Sequence, residues 1–261
     1  LSMQHLNIFR QENDTELLNR YIQLIPLTPD TSFRMTSGAG TVSERALMYA
    51  ILRRMPELSM YRKALEVAMV DKAVGQWDGW ARDWYETQVK ECDKTSGGKY
   101  LAYMLDKLSV ELNMRADEDN TVLDMIISMC KQIRSNGYKQ QNNNAVIGKL
   151  RVIFAKISLD KLEPDLVIMD EFQRFKYLIN SDSDTETGML ANKFFNSSKV
   201  RMLLLSATPY KMYSTLEEID ETQVDEHYSE FFDVMNFLNI SESEKRKFKT
   251  CLLYTSDAAD E

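Results

Sequence analysis

The sequence has little histidine, few cysteines and no long apolar run, and each shortage argues against a class of function. His5 and His227 are the only two histidines in 261 residues, so a histidine-based metal site or catalytic triad is not expected. The three cysteines lie far apart with no C-x-x-C pair, which argues against a zinc site or disulfide framework and favours a reducing cytoplasm. No apolar run reaches the roughly 18 residues that a membrane-spanning helix needs, so no membrane partner is expected.

The sequence also lacks an excess of basic residues. Its net charge is −8, whereas compact modules that coat nucleic acid are usually basic. This charge still permits a motor that contacts phosphates through a few local loops. No basic segment followed by an apolar one opens the chain, so we expect no secretory signal. Because the chain starts at Leu1 rather than Met, we expect the natural N terminus to lie upstream.

The last eleven residues, CLLYTSDAADE at positions 251–261, do not resemble the chain before them. One codon choice for them resembles the reverse complement of a transposase-based sequencing adapter, read through in frame. We therefore expect a non-native tail at 251–261 and a natural chain, 1–250, that continues past Thr250. The alternative is a short natural strand followed by an acidic tail.

Helical spacing of apolar residues dominates the middle of the chain, and we predict a large α-helical insertion at about 57–145. Ahead of it, Thr41 and Glu44 match a capping box that opens a helix. The polar run at 139–145 predicts a loop, with a further helix after it that ends before Pro164.

Three tryptophans, Trp77, Trp80 and Trp84, recur at helical spacing inside the insertion. An aromatic stripe of this kind is more often the buried face of a helix than a platform on which bases stack. We therefore predict that the stripe belongs to the core.

Two apolar runs predict neighbouring strands. DLVIMD, at 165–170, and KVRMLLLSATP, at 199–209, flank a segment with helical spacing, and strand–helix–strand in this order predicts a parallel pair. Leu166–Met169 is continuously apolar, which predicts a strand buried on both faces. The predicted fold class is therefore α/β, with a parallel sheet.

Asp170 and Glu171 follow the first strand directly. Ligands of parallel sheets bind at the carboxyl ends of the strands, and carboxylates there suit hydrated Mg²⁺. One carboxylate would reach the metal, and the other would orient the water that attacks a γ-phosphate. A solvated turn after a core strand explains the acidic pair alone equally well.

The second strand favours the nucleotide interpretation, because it ends in the small hydroxyl residues of LLLSATPY. DEFQ and SAT, each ending a strand, together resemble motifs II and III of superfamily 2 DEAD/DEAH-like helicases and translocases, in particular a bacterial group related to Swi/Snf. Position by position, the resemblance implies that Asp170 coordinates Mg²⁺–ATP, Glu171 is the catalytic base and Gln173 links the nucleotide site to other motifs. It implies that Ser206, Ala207 and Thr208 couple hydrolysis to movement on nucleic acid.

The resemblance also implies the architecture and the partners. It implies an incomplete N-terminal RecA-like lobe of the P-loop NTPase type over 1–250, with ATP and Mg²⁺ as cofactors. It implies a cytoplasmic ATP hydrolase that acts on nucleic acid, DNA rather than RNA, and a second RecA-like lobe in cis. Thr28 and Thr31 either contact the nucleic-acid backbone in such a motor or belong to an ordinary turn.

The sequence has no phosphate-binding loop of the form G-K-[ST], which such a motor requires. Gly98-Lys99 and Gly148-Lys149 are followed by Tyr100 and Leu150, and SGAGTVSER has glycines before a helix but no lysine. We therefore expect a fragment that alone hydrolyses essentially no ATP. Two other hypotheses stay open: a non-catalytic RecA-like scaffold that binds nucleic acid or protein, and a subunit of a restriction-type translocase.

Overall fold

The computed structural model describes most of the chain from the N terminus to the second strand. The described residues are 2–13, 24–27, 38–116, 119–136, 140–172, 185–195, 200–206, 234–238, 241, 243, 244, 246, 247 and 250. Within them the protein is mostly helical and contains one two-stranded parallel sheet. This agrees with an α/β class only in its broad sense.

The helices and strands of the described residues follow in chain order. They are α1 (Gln4–Asn13), α2 (Val42–Leu52), a 3₁₀-helix (Pro56–Tyr61), α3 (Arg62–Val70), α4 (Val74–Gln76), a π-helix (Trp77–Ala81), α5 (Arg82–Thr95), α6 (Lys99–Leu112), α7 (Val122–Asn136), α8 (Gln140–Leu162), β1 (Leu166–Met169), α9 (Glu186–Phe195) and β2 (Arg201–Leu204).

The chain divides into two compact units. The first, which we call the helical unit, comprises Leu1–Glu163 and Ser183–Phe194. The second, the sheet unit, comprises Pro164–Asp182 and Phe195–Glu261.

The helical unit is built around one apolar core, to which α1 to α3 and α5 to α8 contribute. Along α3 and α6 the buried side chains recur three and four positions apart, so each of these helices buries one face. α2 is instead buried on all sides from Arg45 to Leu52. The largest side chains that are completely buried include Trp77, Tyr100, Phe154, Leu47, Leu65 and Met104. Within this unit, the Lys193 ammonium of α9 forms an ion pair with the Asp160 carboxylate of α8.

Two local predictions in the helical unit have different outcomes. The capping box is confirmed, because the Glu44 N–H donates to Thr41 Oγ1 over 3.2 Å and the Thr41 N–H donates to Glu44 Oε2 over 2.8 Å. The loop predicted at 139–145 is wrong from residue 140 onward, since α8 begins at Gln140. Asparagine and glutamine cost a helix under about 1 kcal/mol each, and the buried side chains of Val146, Ile147 and Leu150 stabilise this one by packing.

The sheet unit confirms the predicted parallel pair. β1 and β2 pair in the register Leu166 with Arg201 through to Met169 with Leu204. The prediction that both faces of β1 are buried is wrong. Val167 and Met169 are buried, but the alternate residues Leu166 and Ile168 are exposed. An apolar run fixes the tendency to form a strand, whereas burial of each face depends on what packs against it.

Candidate functional site

The candidate site lies where the two parallel strands end. Asp170 and Glu171 follow β1, and Leu205 and Ser206 follow β2. Because the strands are parallel and in register, both ends lie at the same edge of the sheet. This edge is where ligands of parallel sheets bind.

Two backbone hydrogen bonds hold the strand ends together beyond the regular ladder. The Leu205 N–H donates to the Met169 carbonyl over 2.8 Å, and the Phe172 N–H donates to the Leu205 carbonyl over 3.3 Å. Phe172 also buries its ring, with 4% of the residue exposed. The acidic turn is therefore fixed to the end of β2 on both sides of Asp170 and Glu171.

Glu171 has a left-handed backbone conformation, with φ of 52°. Residues other than glycine rarely adopt this conformation, because Cβ approaches the backbone carbonyl at a cost of roughly 1–2 kcal/mol. Asp170 and Glu171 are both exposed. The turn thus presents two solvent-facing carboxylates at a fixed point on the sheet edge. Positive φ alone does not mark a site, since Asp71 and Glu163 share it.

Several predicted site residues lie outside the described part of the chain. Ser206 is described and lies one residue beyond the Leu205 bond to β1. The other five positions, and the tail predicted at 251–261, fall among the residues without a described conformation; the five are Thr28, Thr31, Gln173, Ala207 and Thr208. Their roles stay predictions.

The glycine-containing segment before α2 is closed to an anion. The Glu44 carboxylate of α2 lies over this helix N terminus, where it accepts hydrogen bonds from the Thr41 N–H and from Ser2 Oγ at 2.8 and 2.7 Å. Arg151 reaches the same carboxylate at 3.4 Å and donates to the Gly38 carbonyl over 3.1 Å. Since a carboxylate already occupies the place where a phosphate would bind, this segment is a structural turn.

The surroundings of Glu44 favour the ionised carboxylate. Burial of the side chain disfavours the charged form, but hydrogen bonds from Thr41 and Ser2 and the charge of Arg151 outweigh this effect and lower the pKa of Glu44. A group of this kind stabilises the fold rather than exchanging protons in a reaction.

His5 is a core residue, which the sequence pattern alone did not reveal. Its ring is completely buried between α6 and α8, with Nδ1 3.1 Å from the Tyr100 hydroxyl. The backbone N–H of His5 donates to Ser158 Oγ over 3.1 Å. Burial lowers the pKa of His5 to about 3. The imidazole is therefore neutral at physiological pH.

The two cysteines of the helical unit are also core residues. Cys92 and Cys130 are buried as free thiols, and burial raises the pKa of Cys92 to about 11 and that of Cys130 to about 12. A thiol must ionise to act as a nucleophile or metal ligand, so neither has that chemistry at neutral pH. Among the residues that the structure describes, no three histidine, cysteine or acidic side chains group as metal ligands.

The tryptophan stripe is only partly in the core. Trp77 is 1% exposed, as predicted, but Trp80 and Trp84 are 48% and 55% exposed. The prediction is wrong for the latter two because the stripe crosses a π-helix, whose wider turn shifts the helical register.

Comparison with known proteins adds no relative, since no family model, curated protein or solved structure matches the chain. Within the described ranges, no helix is both long and apolar enough to cross a bilayer.

Proposed function

We propose that the sheet edge carries the acidic half of the Mg²⁺–ATP site of a superfamily 2-type motor. The observation that supports this most is the adjacency of the two motif-bearing strand ends, which the Leu205 and Phe172 hydrogen bonds hold together. In a RecA-like lobe, the acidic motif and the S-A-T motif end neighbouring strands. The solvated-turn alternative needs no such pairing.

The carboxylates suit a hydrated magnesium ion, which prefers oxygen ligands and binds proteins through one or two carboxylates while it keeps several waters. Asp170, exposed at the strand end, would hold the Mg²⁺ of Mg²⁺–ATP. Bound Mg²⁺–ATP supplies a γ-phosphoryl group whose negative charge the metal partly neutralises. Glu171 would orient the attacking water and accept its proton. Gln173 would link the site to neighbouring motifs, and Ser206 and Thr208 would couple hydrolysis to movement on nucleic acid.

The phosphate-binding half of such a site is not evident in this chain. The sequence has no G-K-[ST], and the glycine segment before α2 is closed by Glu44 and Arg151. We therefore propose that the 261-residue chain alone has essentially no ATP turnover. In the proposal, a lysine loop and a second RecA-like lobe complete the motor in cis.

The first test is recovery of the uninterrupted gene from source DNA. The proposal expects a G-K-[ST] motif upstream of Leu1 and a second RecA-like lobe downstream of Thr250. A complete upstream reading frame without a lysine loop would exclude a motor.

The second test is kinetic, in the protein that the recovered gene encodes. Glu171→Gln should keep ATP binding and lose at least about a hundredfold in turnover, the lower range for loss of a general base. Asp170→Asn should weaken Mg²⁺-dependent ATP binding as well. Glu163→Gln is the matched control, because Glu163 is an exposed glutamate that also has positive φ and lies just before β1.

A second candidate function is a non-catalytic RecA-like scaffold. The closed glycine segment favours it, because a scaffold needs no phosphate loop. For a scaffold, Glu171→Gln and Glu163→Gln would be equally silent in nucleotide binding and turnover. For a motor, only Glu163→Gln would be silent.

A restriction-type translocase subunit would behave as a motor in these assays. An adjacent nuclease or methylase domain in the recovered gene would identify it.

A further inference from the structure

A second surface, remote in sequence from the acidic turn, has the composition of a binding site. Trp80 and Trp84 lie four positions apart across the junction of the π-helix and α5, and about half of each residue is exposed. Residues at this spacing are neighbours on a helix surface. We call the surface formed by these two side chains the tryptophan face.

The tryptophan face is fixed by the core beneath it. Trp77 is buried and donates its indole N–H to Glu66 Oε1 over 3.2 Å, and Ala81 is completely buried. These two residues anchor the π-helix with one side inward, so Trp80 is directed outward. The Trp80 ring also contacts that of Tyr85, with 6.4 Å between centroids, which restricts its movement.

Backbone next to the tryptophan face is open to a close approach. Gly79 adjoins Trp80, and a side chain added at Gly79 would meet nothing within 4 Å. Large exposed aromatic side chains are energetically costly to leave in water. Two of them on a rigid helix beside an open glycine are typical of the anchor residues of protein interfaces.

The charges around the tryptophan face determine the kind of partner. The carboxylates of Asp78 and Asp83 are 62% and 77% exposed. The one arginine between them, Arg82, is shared among Asp83, Asp78 and Glu66, at 3.0, 3.4 and 3.6 Å. The surroundings are therefore net negative, which repels the phosphates of a nucleic acid and attracts a cation.

We propose that the tryptophan face binds an arginine- or lysine-containing segment of a partner protein. A guanidinium or ammonium group stacks on the Trp80 or Trp84 ring, where indole is the best cation–π acceptor among side chains. The Asp83 carboxylate, three positions after Trp80 and therefore its neighbour on the helix surface, accepts a hydrogen bond from the same cation. This binding site is independent of the acidic turn and does not depend on ATP.

The test uses the whole 261-residue chain and a nine-residue peptide with three arginines separated by glycine and serine. Binding is measured by isothermal titration calorimetry and by tryptophan emission, to which the exposed Trp80 and Trp84 respond more than the buried Trp77. We expect Trp80→Ala and Trp84→Ala each to weaken binding by about tenfold, within the range for a desolvated cation–π contact. These variants leave the net charge unchanged, so general attraction between the peptide and an acidic protein would be unaffected.

Three controls make the outcome decisive. Asp83→Asn should weaken binding by about threefold, whereas Glu163→Gln, the same loss of one charge elsewhere, should have no effect. Replacing the arginines of the peptide by glutamine should abolish binding, and the urea midpoint should show that each variant folds. Equal peptide affinity of the wild type and the tryptophan variants would overturn the proposal. Binding of a thymine oligonucleotide to the tryptophan face would also overturn the proposal. A dimer of the chain that Trp84→Ala dissociates would do the same.

Discussion

Two turns of the molecule carry a glutamate next to an apolar element, and they differ in what surrounds the carboxylate. Glu44, in the first turn of α2, is mostly buried and accepts hydrogen bonds from Ser2 and Thr41 beside the guanidinium of Arg151. Glu171, after β1, is exposed, and its strain lies in the backbone. A buried carboxylate with several hydrogen bonds stabilises a fold, whereas an exposed one at the ends of parallel strands is open to a ligand.

The largest effect should come from the cation at the Glu44 turn. Arg151→Ala leaves the mostly buried Glu44 carboxylate without its counter-ion and removes the bond to the Gly38 carbonyl. Breaking a buried ion pair costs about 3–5 kcal/mol. Urea unfolding followed by tryptophan emission, which reports on the helical unit, should show this loss. An unchanged urea midpoint in Arg151→Ala would show that the Glu44 carboxylate does not stabilise the fold through this ion pair, and the contrast with Glu171 would fail.

Glu44→Gln should cost less, about 1–3 kcal/mol, because the amide keeps the shape of the side chain but loses charge-assisted hydrogen bonds. The same measurement checks it. Thr41→Ser should stay close to wild type, because serine is an equally good N-cap residue. A large loss in Thr41→Ser would indicate that packing, rather than the cap, governs this turn.

Acid should remove the contribution of Glu44. Because hydrogen bonding lowers the pKa of Glu44 in the folded state, its stabilisation is complete above the ordinary value of 4.5 and is lost as the pH falls through the folded pKa. The difference in unfolding free energy between wild type and Glu44→Gln should therefore shrink below pH 4.5.

His5 must be separated from this acid effect. Its pKa is lowered from 6.5 to about 3, so the unfolded chain takes up a proton that the folded one excludes, and stability falls as the pH drops from 6.5 towards 3. The wild type and Glu44→Gln lose stability equally through His5 as the pH drops. Only the difference between their unfolding free energies therefore reports on Glu44. A constant difference between pH 7 and pH 3 would contradict the assignment.

The contrast between the two turns was only partly predictable from the sequence. The capping box of Thr41 and Glu44 depends on residues three apart, so local sequence was sufficient to predict it. The closing of the same turn by Arg151, over a hundred residues later, depends on tertiary packing. The parallel pairing of β1 and β2 was predictable from the strand–helix–strand order of the sequence. The exposure of Ile168 was not, because it depends on what packs against the sheet.

The tryptophan stripe shows a different limit. Its helical spacing correctly placed Trp77 in the core, but the stripe was predicted on an ideal α-helix. The π-helix at Trp77–Ala81 changes the residues per turn, and no single residue type signals it. Trp80 and Trp84 were therefore assigned to the wrong side of the helix surface.

At the Glu171 turn, the backbone should matter more than the side chain. Glycine adopts φ of 52° without the steric cost that a Cβ brings, so Glu171→Gly should be more stable than Glu171→Ala by about 1 kcal/mol. Hydrogen exchange of the Phe172 and Leu205 amides, which span the turn, measures this local opening. Equal protection in the two variants would show that the turn relaxes to an ordinary conformation.

The smallest effect should be that of Glu171→Gln on stability, within about 0.5 kcal/mol, because exposed polar contacts contribute little. The same chemical change at Glu44 is expected to cost several times more, so the pair of glutamine variants compares the two turns directly. Protection of the Phe172 and Leu205 amides in Glu171→Gln should match the wild type. The loss of amide protection in Glu171→Gln can be compared, as a free energy, with the loss of unfolding free energy in Glu44→Gln. If the two losses are equal, the Glu171 carboxylate is a structural group like that of Glu44, and its proposed role as a catalytic base loses its physical basis.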